Sequence, residues 1–331
     1  MEHVRRSGYL FAVMKRPPLL VLLAALASLA AACGRSEPGT HESPASTPAE
    51  SSTSGNSHGR VYERNFVFMT LTKDSTVIVP WLFTTATLPG TEDREVRGYL
   101  ARGGVWDPFY HQEWETPPSR APWRILPHGN LHLLVGNADA IEGLVFEDGP
   151  RKLELDMSNS LITWTGRRGQ QFQLLNAAVY LSDQRIPGVA LDMSRARESR
   201  ETQSGDWAFL VSGDSLQMVL ENPTAASPGT NGAYRAWARL DFRDLHWPEV
   251  TVNWAEVRAY QPAHQDVPVS WTLKSDDEDL GGTLHVESAQ IQAGEGKGPL
   301  LPVDALFTVS GTVRIQGTAY RVLGIFRHTR S

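Results

Sequence analysis

Cysteine is almost absent from this chain. Its 331 residues contain one, Cys33, so no disulfide can form within the chain and packing has to hold the fold together. Runs of basic residues are missing as well: 31 Lys and Arg stand against 37 Asp and Glu, giving a net charge of −6. A mildly acidic chain without a basic patch is repelled by phosphate backbones, so nucleic acid is excluded as an expected partner.

Long apolar runs are confined to the N-terminus. Arg5, Arg6, Lys15 and Arg16 supply positive charge, an apolar run from Leu19 to Leu29 follows, and three alanines come next. This order is typical of an export signal, which we place at residues 1–32. The apolar run is too short to span a hydrocarbon core of about 30 Å as a helix, so a permanent transmembrane anchor is not expected.

Cys33 follows the three alanines directly, and the segment SLAAACGRS resembles the lipobox of bacterial lipoproteins. The resemblance implies that the Cys33 thiol is acylated, becomes the mature N-terminus and attaches the protein to a lipid bilayer. The match departs in one place, because Ala30 stands at −3 and Leu29 at −4. The alternative is ordinary cleavage after the alanines, which leaves a spare thiol. Gly34 rather than aspartate follows, which implies the outer membrane of a double-membrane bacterium.

Residues 33–60 are rich in Ser, Thr, Pro, Gly and Glu and have no apolar period. Such a composition cannot bury a core, so we interpret this part, after the lipidated cysteine, as a disordered tether.

From Val61 onward apolar and polar residues alternate with a period of two, and turn signals separate the runs. The C-terminal stretch LFTVSGTVRIQGTAYRVLGIF predicts a hairpin with one buried face. Helical periodicity is nearly absent; the polar segment 193–205 could form at most a turn or two of helix, and we treat it as a linker. The sequence therefore predicts an all-β chain with little helix and two β-domains, 61–192 and 206–331, each large enough for a closed barrel.

The second half resembles the C-terminal barrel of the paired lipocalin-like proteins, a group that includes carotenoid hydratases and AttH-like secreted proteins. The likeness rests on Gly205-Asp206-Trp207, on Pro268 and Trp271, and on the closing hairpin from Val309 to Phe326. It implies two consecutive lipocalin-like β-barrels, or a barrel paired with a sandwich. The first half fits less distinctly, through EGLVFEDGPRKLELD and the strand order.

The same resemblance points to a possible catalytic position. Family enzymes tend to carry an Asp-His-Glu-Trp-like motif between the domains, where this chain has LDMSRA. Asp192 matches the aspartate, but Met193, Ser194 and Arg195 replace the other three residues. Loss of the histidine and glutamate removes the groups best suited to proton transfer near neutral pH, so hydratase chemistry is not the first expectation.

One local cluster, VWDPFYHQEW at residues 105–114, mixes acid–base and aromatic groups. His111 and Glu113 share one face of an extended chain and are further candidates for acid and base. Pro108 interrupts the strand, and packing in an edge strand or loop is the alternative.

No cofactor or metal is expected. The chain lacks a Gly-x-Ser-x-Gly elbow, a P-loop and a dinucleotide fingerprint after a strand. His128 and His132 are four residues apart, which suits zinc on a helix but not on the strand predicted there.

The aromatic residues admit two interpretations: they line a cavity for an apolar ligand, or they fill the barrels. We take Trp164, Trp207, Trp271 and Tyr110 as the candidate ligand-binding residues. The sequence thus predicts an envelope lipoprotein that binds an apolar or amphipathic small molecule. One alternative is a hydratase- or isomerase-type enzyme acting on a hydrophobic substrate. The other is a structural module that docks an envelope protein through an edge strand.

Overall fold

A computed structural model describes residues 59–71, 76–137, 140–166, 169–199, 204–222, 232–296 and 298–330. The predicted signal peptide, Cys33 and nearly all of the predicted tether lie outside these ranges. Within them, no helix has the length and apolar character needed to cross a membrane.

The first sheet is antiparallel and contains nine strands. They are β1 (Val61–Thr70), β2 (Val77–Leu88), β3 (Thr91–Arg102), β4 (Val105–Thr116), β5 (Leu131–Val135), β6 (Ile141–Asp148), β7 (Arg151–Thr165), β8 (Gln171–Leu181) and β9 (Gln184–Arg197).

The strand order of this sheet is that of an up-and-down barrel with one pair left open. The order is β4-β3-β2-β1-β9-β8-β7-β6-β5, and β4 and β5 are its two edges. Side chains nevertheless meet across the gap. The Phe109 ring of β4 lies 5.1 Å from the Phe146 ring of β6, and Arg151 of β7 forms an ion pair of 2.6 Å with Asp107 of β4. The sheet is therefore curled into a half-barrel.

The second sheet is a closed barrel of eight antiparallel strands. They are β10 (Trp207–Ser212), β11 (Leu216–Glu221), β12 (Gly232–Leu240), β13 (Arg243–Tyr260), β14 (Gln265–Ser275), β15 (Leu280–Ala293), β16 (Val303–Ile315) and β17 (Thr318–Arg330). A short 3-10 turn, Gln261–Ala263, joins β13 to β14.

Side chains fill the interior of this barrel. Trp271 is fully buried, stacks on Phe326 with ring centroids 4.3 Å apart, and meets Phe307 edge-on at 5.7 Å. The barrel closes where β10 pairs with β17 from Trp207 to Val211. The prediction of an all-β chain with lipocalin-like barrels and little helix is confirmed.

The short helix allowed for within residues 193–205 does not form in the described part of that segment. Instead β9 continues through Met193 to Arg197, where it pairs with β1 on one side. The polar residues of this segment therefore belong to a strand, and their charged side chains have buried partners, as described below.

The two sheets pack against each other through an apolar face. On β1, Phe66 and Phe68 point into the half-barrel, whereas Val67 and Met69 belong to a core shared with Phe209 of the barrel. Central strands of the first sheet are thus buried on both faces, which is why β1 reads as a nearly continuous apolar run.

Candidate functional site

A pocket lies on the concave face of the half-barrel, at the end where β1 begins and β9 ends. We call it the mouth pocket; among its lining residues are Tyr62, Arg64, Phe83, Trp114, Trp123 and Asp192. Residues 117–130, which connect the unpaired edges β4 and β5, contribute Trp123 to it, and we call them the covering segment. The cavity volume is about 40 Å³, which holds a few water molecules.

Along strand β1 the inward-facing side chains change from polar at the pocket to apolar behind it. Alternate residues of a strand share a face, so Tyr62, Arg64, Phe66 and Phe68 point inward in that order. The first two line the pocket, and the two phenylalanines belong to the buried core behind it. Pairing with β9 sets Asp192 opposite Phe66, one step deeper than Arg64.

Arg64 and Asp192 form a bidentate ion pair on this face. Arg64 Nε donates to Asp192 Oδ1 at 3.0 Å and Nη2 donates to Oδ2 at 2.7 Å. Burial lowers the pKa of Arg64, but Asp192 raises it by more, so the net shift is upward. The guanidinium also lies 5.0 Å from the Phe66 ring centroid. Both carboxylate oxygens of Asp192 are therefore occupied by Arg64.

A second buried pair holds the covering segment in place. Arg94 binds Glu92 at 2.5 Å and donates to the backbone oxygen of Arg124 at 2.8 Å. The other oxygen of Glu92 accepts the backbone N–H of Ser119 at 2.6 Å. The covering segment is thus attached to β3 at two points, Ser119 and Arg124.

Aromatic contacts fix the far end of the segment. The His128 ring stacks on Trp114 with centroids 4.3 Å apart, and the Tyr110 hydroxyl donates to the His128 backbone oxygen. Burial raises the pKa of Tyr110 to about 12, so this hydroxyl keeps its proton. His132 lies exposed on β5.

His111 and Glu113 lie outside the pocket, on the edge strand β4. His111 Nε2 is 3.1 Å from Glu113 Oε1 and 3.3 Å from Glu95 Oε1, with the side chains of His111 and Glu113 54% and 70% exposed. The three residues offer ligand-type atoms within 4.8 Å of one another. However, Arg97 Nε lies 3.1 Å from the same oxygen of Glu95 and competes with any cation for it.

The four predicted ligand-binding aromatic residues are placed in three different regions. Trp164 and Trp207 lie in the core between the sheets, Trp271 fills the barrel, and Tyr110 packs inside the half-barrel. The rings of the mouth pocket are different ones: Tyr62, Phe83, Trp114 and Trp123. Of these, Trp114 belongs to the cluster at residues 105–114 that the sequence singled out, and the other three were not candidates. A usable signal was the Pro-rich TPPSRAPW, a break in alternation that ends on Trp123.

Arg195, which the sequence resemblance set in the place of a tryptophan, is buried among partners that fit a cation. Its Nη2 binds Glu63 Oε2 at 2.9 Å and Ser204 Oγ at 2.6 Å, and Nη1 donates to the backbone oxygen of Gly205. Glu63 of β1 is thus the buried counter-ion of Arg195.

Asp206, from the Gly-Asp-Trp motif, precedes β10 and contacts residues of β12 and β17, next to the strand pair that closes the barrel. Its Oδ2 accepts the Tyr234 hydroxyl at 2.9 Å and lies 2.9 Å from His328 Nδ1, and its Oδ1 accepts the Thr329 N–H at 3.0 Å. Burial, with the neighbouring Asp206 carboxylate, raises the pKa of Tyr234 well above its ordinary value. All four residues are buried, so the motif has a structural role here.

No family profile matches the chain, and no curated protein sequence matches it significantly. Solved structures do resemble it. An AttH-like protein from Nitrosomonas europaea matches with a TM-score of 0.55 and 9% identity over 82% of this chain and 93% of that one. CghA matches with a TM-score of 0.50 and 14% identity over 81% of this chain and 87% of that one. Kievitone hydratase from Nectria haematococca matches with a TM-score of 0.48 and 12% identity over 82% of this chain and 88% of that one.

These likenesses concern the fold, because the identities are low. They span both sheets, whereas the resemblance noted in the sequence was carried mainly by the second half. The chain therefore has the fold of the AttH-like protein and of CghA.

Proposed function

We propose that this protein binds an amphipathic small molecule in the mouth pocket. The observation that carries the proposal is the Arg64–Asp192 pair, set beneath aromatic rings in the half-barrel. Well-packed apolar residues often replace a buried ion pair at no cost in stability. Departures from apolar patterning tend to occur where function requires them.

The contacts of the candidate acids and bases favour binding over proton transfer. Each carboxylate oxygen of Asp192 already accepts a hydrogen bond from Arg64, so the group is engaged in the ion pair rather than free to take a proton from a substrate. His111 and Glu113 are exposed on an edge strand, where no surrounding surface excludes water from a reaction.

A pocket-filling variant tests the proposal. Ser194 lines the pocket, so Ser194→Trp should fill the cavity, while Gln184→Trp puts the same side chain at the exposed start of the same strand. We expect the neutral dye N-phenyl-1-naphthylamine to bind the unmodified protein and the Gln184→Trp variant with a saturable rise in fluorescence. Binding to Ser194→Trp should fall by about tenfold or more, because the indole occupies the space that the dye needs.

The melting temperatures of both variants should be measured in parallel, to separate loss of the pocket from loss of the fold. Equal dye binding by a folded Ser194→Trp variant would rule out the mouth pocket as the binding site. Absence of saturable binding to the unmodified protein would contradict the binding function.

The proposal includes attachment of the protein to the outer membrane through acylated Cys33, supported by the lipobox-like sequence. Expression in a double-membrane bacterium should yield a mature N-terminal peptide that begins at Cys33 and carries acyl chains in its mass spectrum. Cys33→Ala should abolish that mass and release the protein from the membrane fraction. A mature N-terminus at any other residue would contradict the anchor.

A further inference from the structure

We infer that the ligand of the mouth pocket is an uncharged ring that carries carbonyl or hydroxyl groups, flanked by Trp114 and Trp123. This inference rests on the proposed binding function and specifies the chemistry of its ligand. Three features of the lining lead to it: its charges, its neutral polar groups and its rings.

Six of the seven charged side chains that line the pocket have partners of opposite sign. Arg64 binds Asp192, and Arg94 binds Glu92. The remaining lining charges pair as Glu63 with Arg195 and Glu95 with Arg97, and Arg124 is likewise engaged. An ionic ligand would have to break one of these pairs or stay uncompensated in a partly buried site, which costs several kcal/mol.

Neutral hydrogen-bonding groups, by contrast, are available. Gln171, Gln173 and Ser194 line the pocket from β8 and β9, and in the described part of the chain their side chains have no hydrogen-bond partner. The strand register sets Gln171 opposite Ser194 and Gln173 opposite Asp192, so the two amides flank the ion pair in neighbouring rows. An amide offers both a donor and an acceptor, which suits a carbonyl or hydroxyl group.

Two indole rings complete the lining on the side of β4 and the covering segment. Trp114 is held by its stack on His128, and Trp123 lies 6.1 Å from Tyr62. Indole faces favour contact with a flat ring, in stacked or edge-to-face geometry. The two amides therefore favour a ligand with a polar edge, and the two indole rings favour a ligand that is flat.

The cavity of about 40 Å³ is well below the roughly 150 Å³ of an apolar protein cavity that holds benzene. Binding must therefore displace part of its wall, and the covering segment is the part that lies outside the sheet. Trp123 lies between its two backbone attachments at Ser119 and Arg124, so movement there separates Trp123 from Tyr62. Ligand binding should then change the fluorescence of Trp123.

Three probes of the same shape test the inference: benzamide, which is neutral, benzoate, which is an anion, and benzamidine, which is a cation. Titration of the full chain, followed by calorimetry and tryptophan fluorescence, should show benzamide binding about tenfold tighter than either ion, because neither charge finds a free counter-charge. Gln173→Leu should weaken benzamide about fivefold by removing one hydrogen bond, whereas the exposed Gln184→Leu should not. Trp123→Phe should remove the fluorescence change while binding persists.

The outcomes distinguish the ligand class from the binding function. Benzoate or benzamidine binding as tightly as benzamide would overturn the inference. So would failure of benzamide to bind while N-phenyl-1-naphthylamine still binds and is excluded by Ser194→Trp. Failure of the dye as well would overturn the binding function itself.

Discussion

The half-barrel and the barrel are both antiparallel meanders, but only in the barrel do the two outermost strands pair with each other. In the barrel, β10 pairs with β17 and large rings fill the interior. In the half-barrel, β4 and β5 remain edges, the covering segment bridges them, and a charged pair lies on the concave face. The comparison teaches that leaving one pair open provides space for a polar site, whereas closure leaves an interior suited to packing alone.

Burial differs between the two in a corresponding way. The inner face of the barrel is apolar, and its buried polar cluster around Asp206 satisfies the closing strands. The polar groups of the half-barrel include amides with no protein partner in the described residues. A filled interior should therefore carry the stability of the molecule, and the mouth pocket should contribute little to it.

Removal of a barrel ring is the strongest test of this comparison. Trp271→Ala should lower the free energy of unfolding by about 3–5 kcal/mol, because it empties a fully buried site against Phe326. Trp123→Ala, at the half-buried mouth, should cost about 1 kcal/mol or less. Urea unfolding followed by circular dichroism measures both. A similar loss in the two variants would show that the mouth pocket is as much a part of the core as the barrel interior.

Acid should weaken the ion pairs that Glu63 of β1 forms with Arg195 and Arg197 of β9. Burial raises the pKa of this carboxyl, but Arg195, Arg327 and Arg197 together outweigh it and bring the pKa to about 2. Because the folded value lies below the unfolded value of 4.5, the stabilisation is complete above pH 4.5 and is lost as the pH falls through about 2. It amounts to about 3 kcal/mol.

Glu63→Gln should accordingly lose about 3 kcal/mol at pH 7 and show a flatter stability profile between pH 5 and 2. The exposed Glu113→Gln serves as the control and should keep the original slope. Denaturant unfolding at a series of pH values measures this, and an unchanged slope in Glu63→Gln would contradict the assignment of this ion pair as the acid-sensitive contact.

Glu221 should respond to pH in the opposite direction. Its carboxyl is buried at the end of β11, 3.9 Å from Arg195, and burial raises its pKa although Arg195 and Arg235 lower it. A raised pKa means stability that is present in acid and declines as the pH rises through the folded value. Glu221→Gln should therefore be more stable than the unmodified protein at pH 7, and the gain should vanish below pH 4.5. A loss at pH 7 would show that Glu221 is needed as an anion.

The architecture could be predicted from sequence because strand patterning is local. The alternating stretch from Val309 to Phe326 gave the final hairpin directly, as β16 and β17. The pocket could not be predicted in this way, since its central contact joins Arg64 to Asp192 across 128 positions of the chain. Asp192 was found only through the family resemblance, and nothing in its neighbourhood pointed to an arginine on β1.

The aromatic candidates failed to identify the pocket for a related reason. Large rings in a chain of strands pack between sheets as readily as they line a cavity, and composition does not separate the two. Trp164 of β7 and Trp207 of β10 lie in the shared core because the two sheets pack against each other there. Trp123 was overlooked because it lies in an irregular segment that has no period.

The smallest expected effect tests how firmly the two sheets are joined. Trp164 of β7 donates its indole N–H to Asp244 of β13 at 2.7 Å, which is a direct polar contact between half-barrel and barrel. Trp164→Phe keeps most of the ring packing and should cost about 1 kcal/mol for the lost hydrogen bond. Asp244→Asn retains an acceptor and should cost less. Because both changes act on one bond, the double variant should be little worse than Trp164→Phe alone, and full additivity would indicate that the bond does not join the sheets in solution.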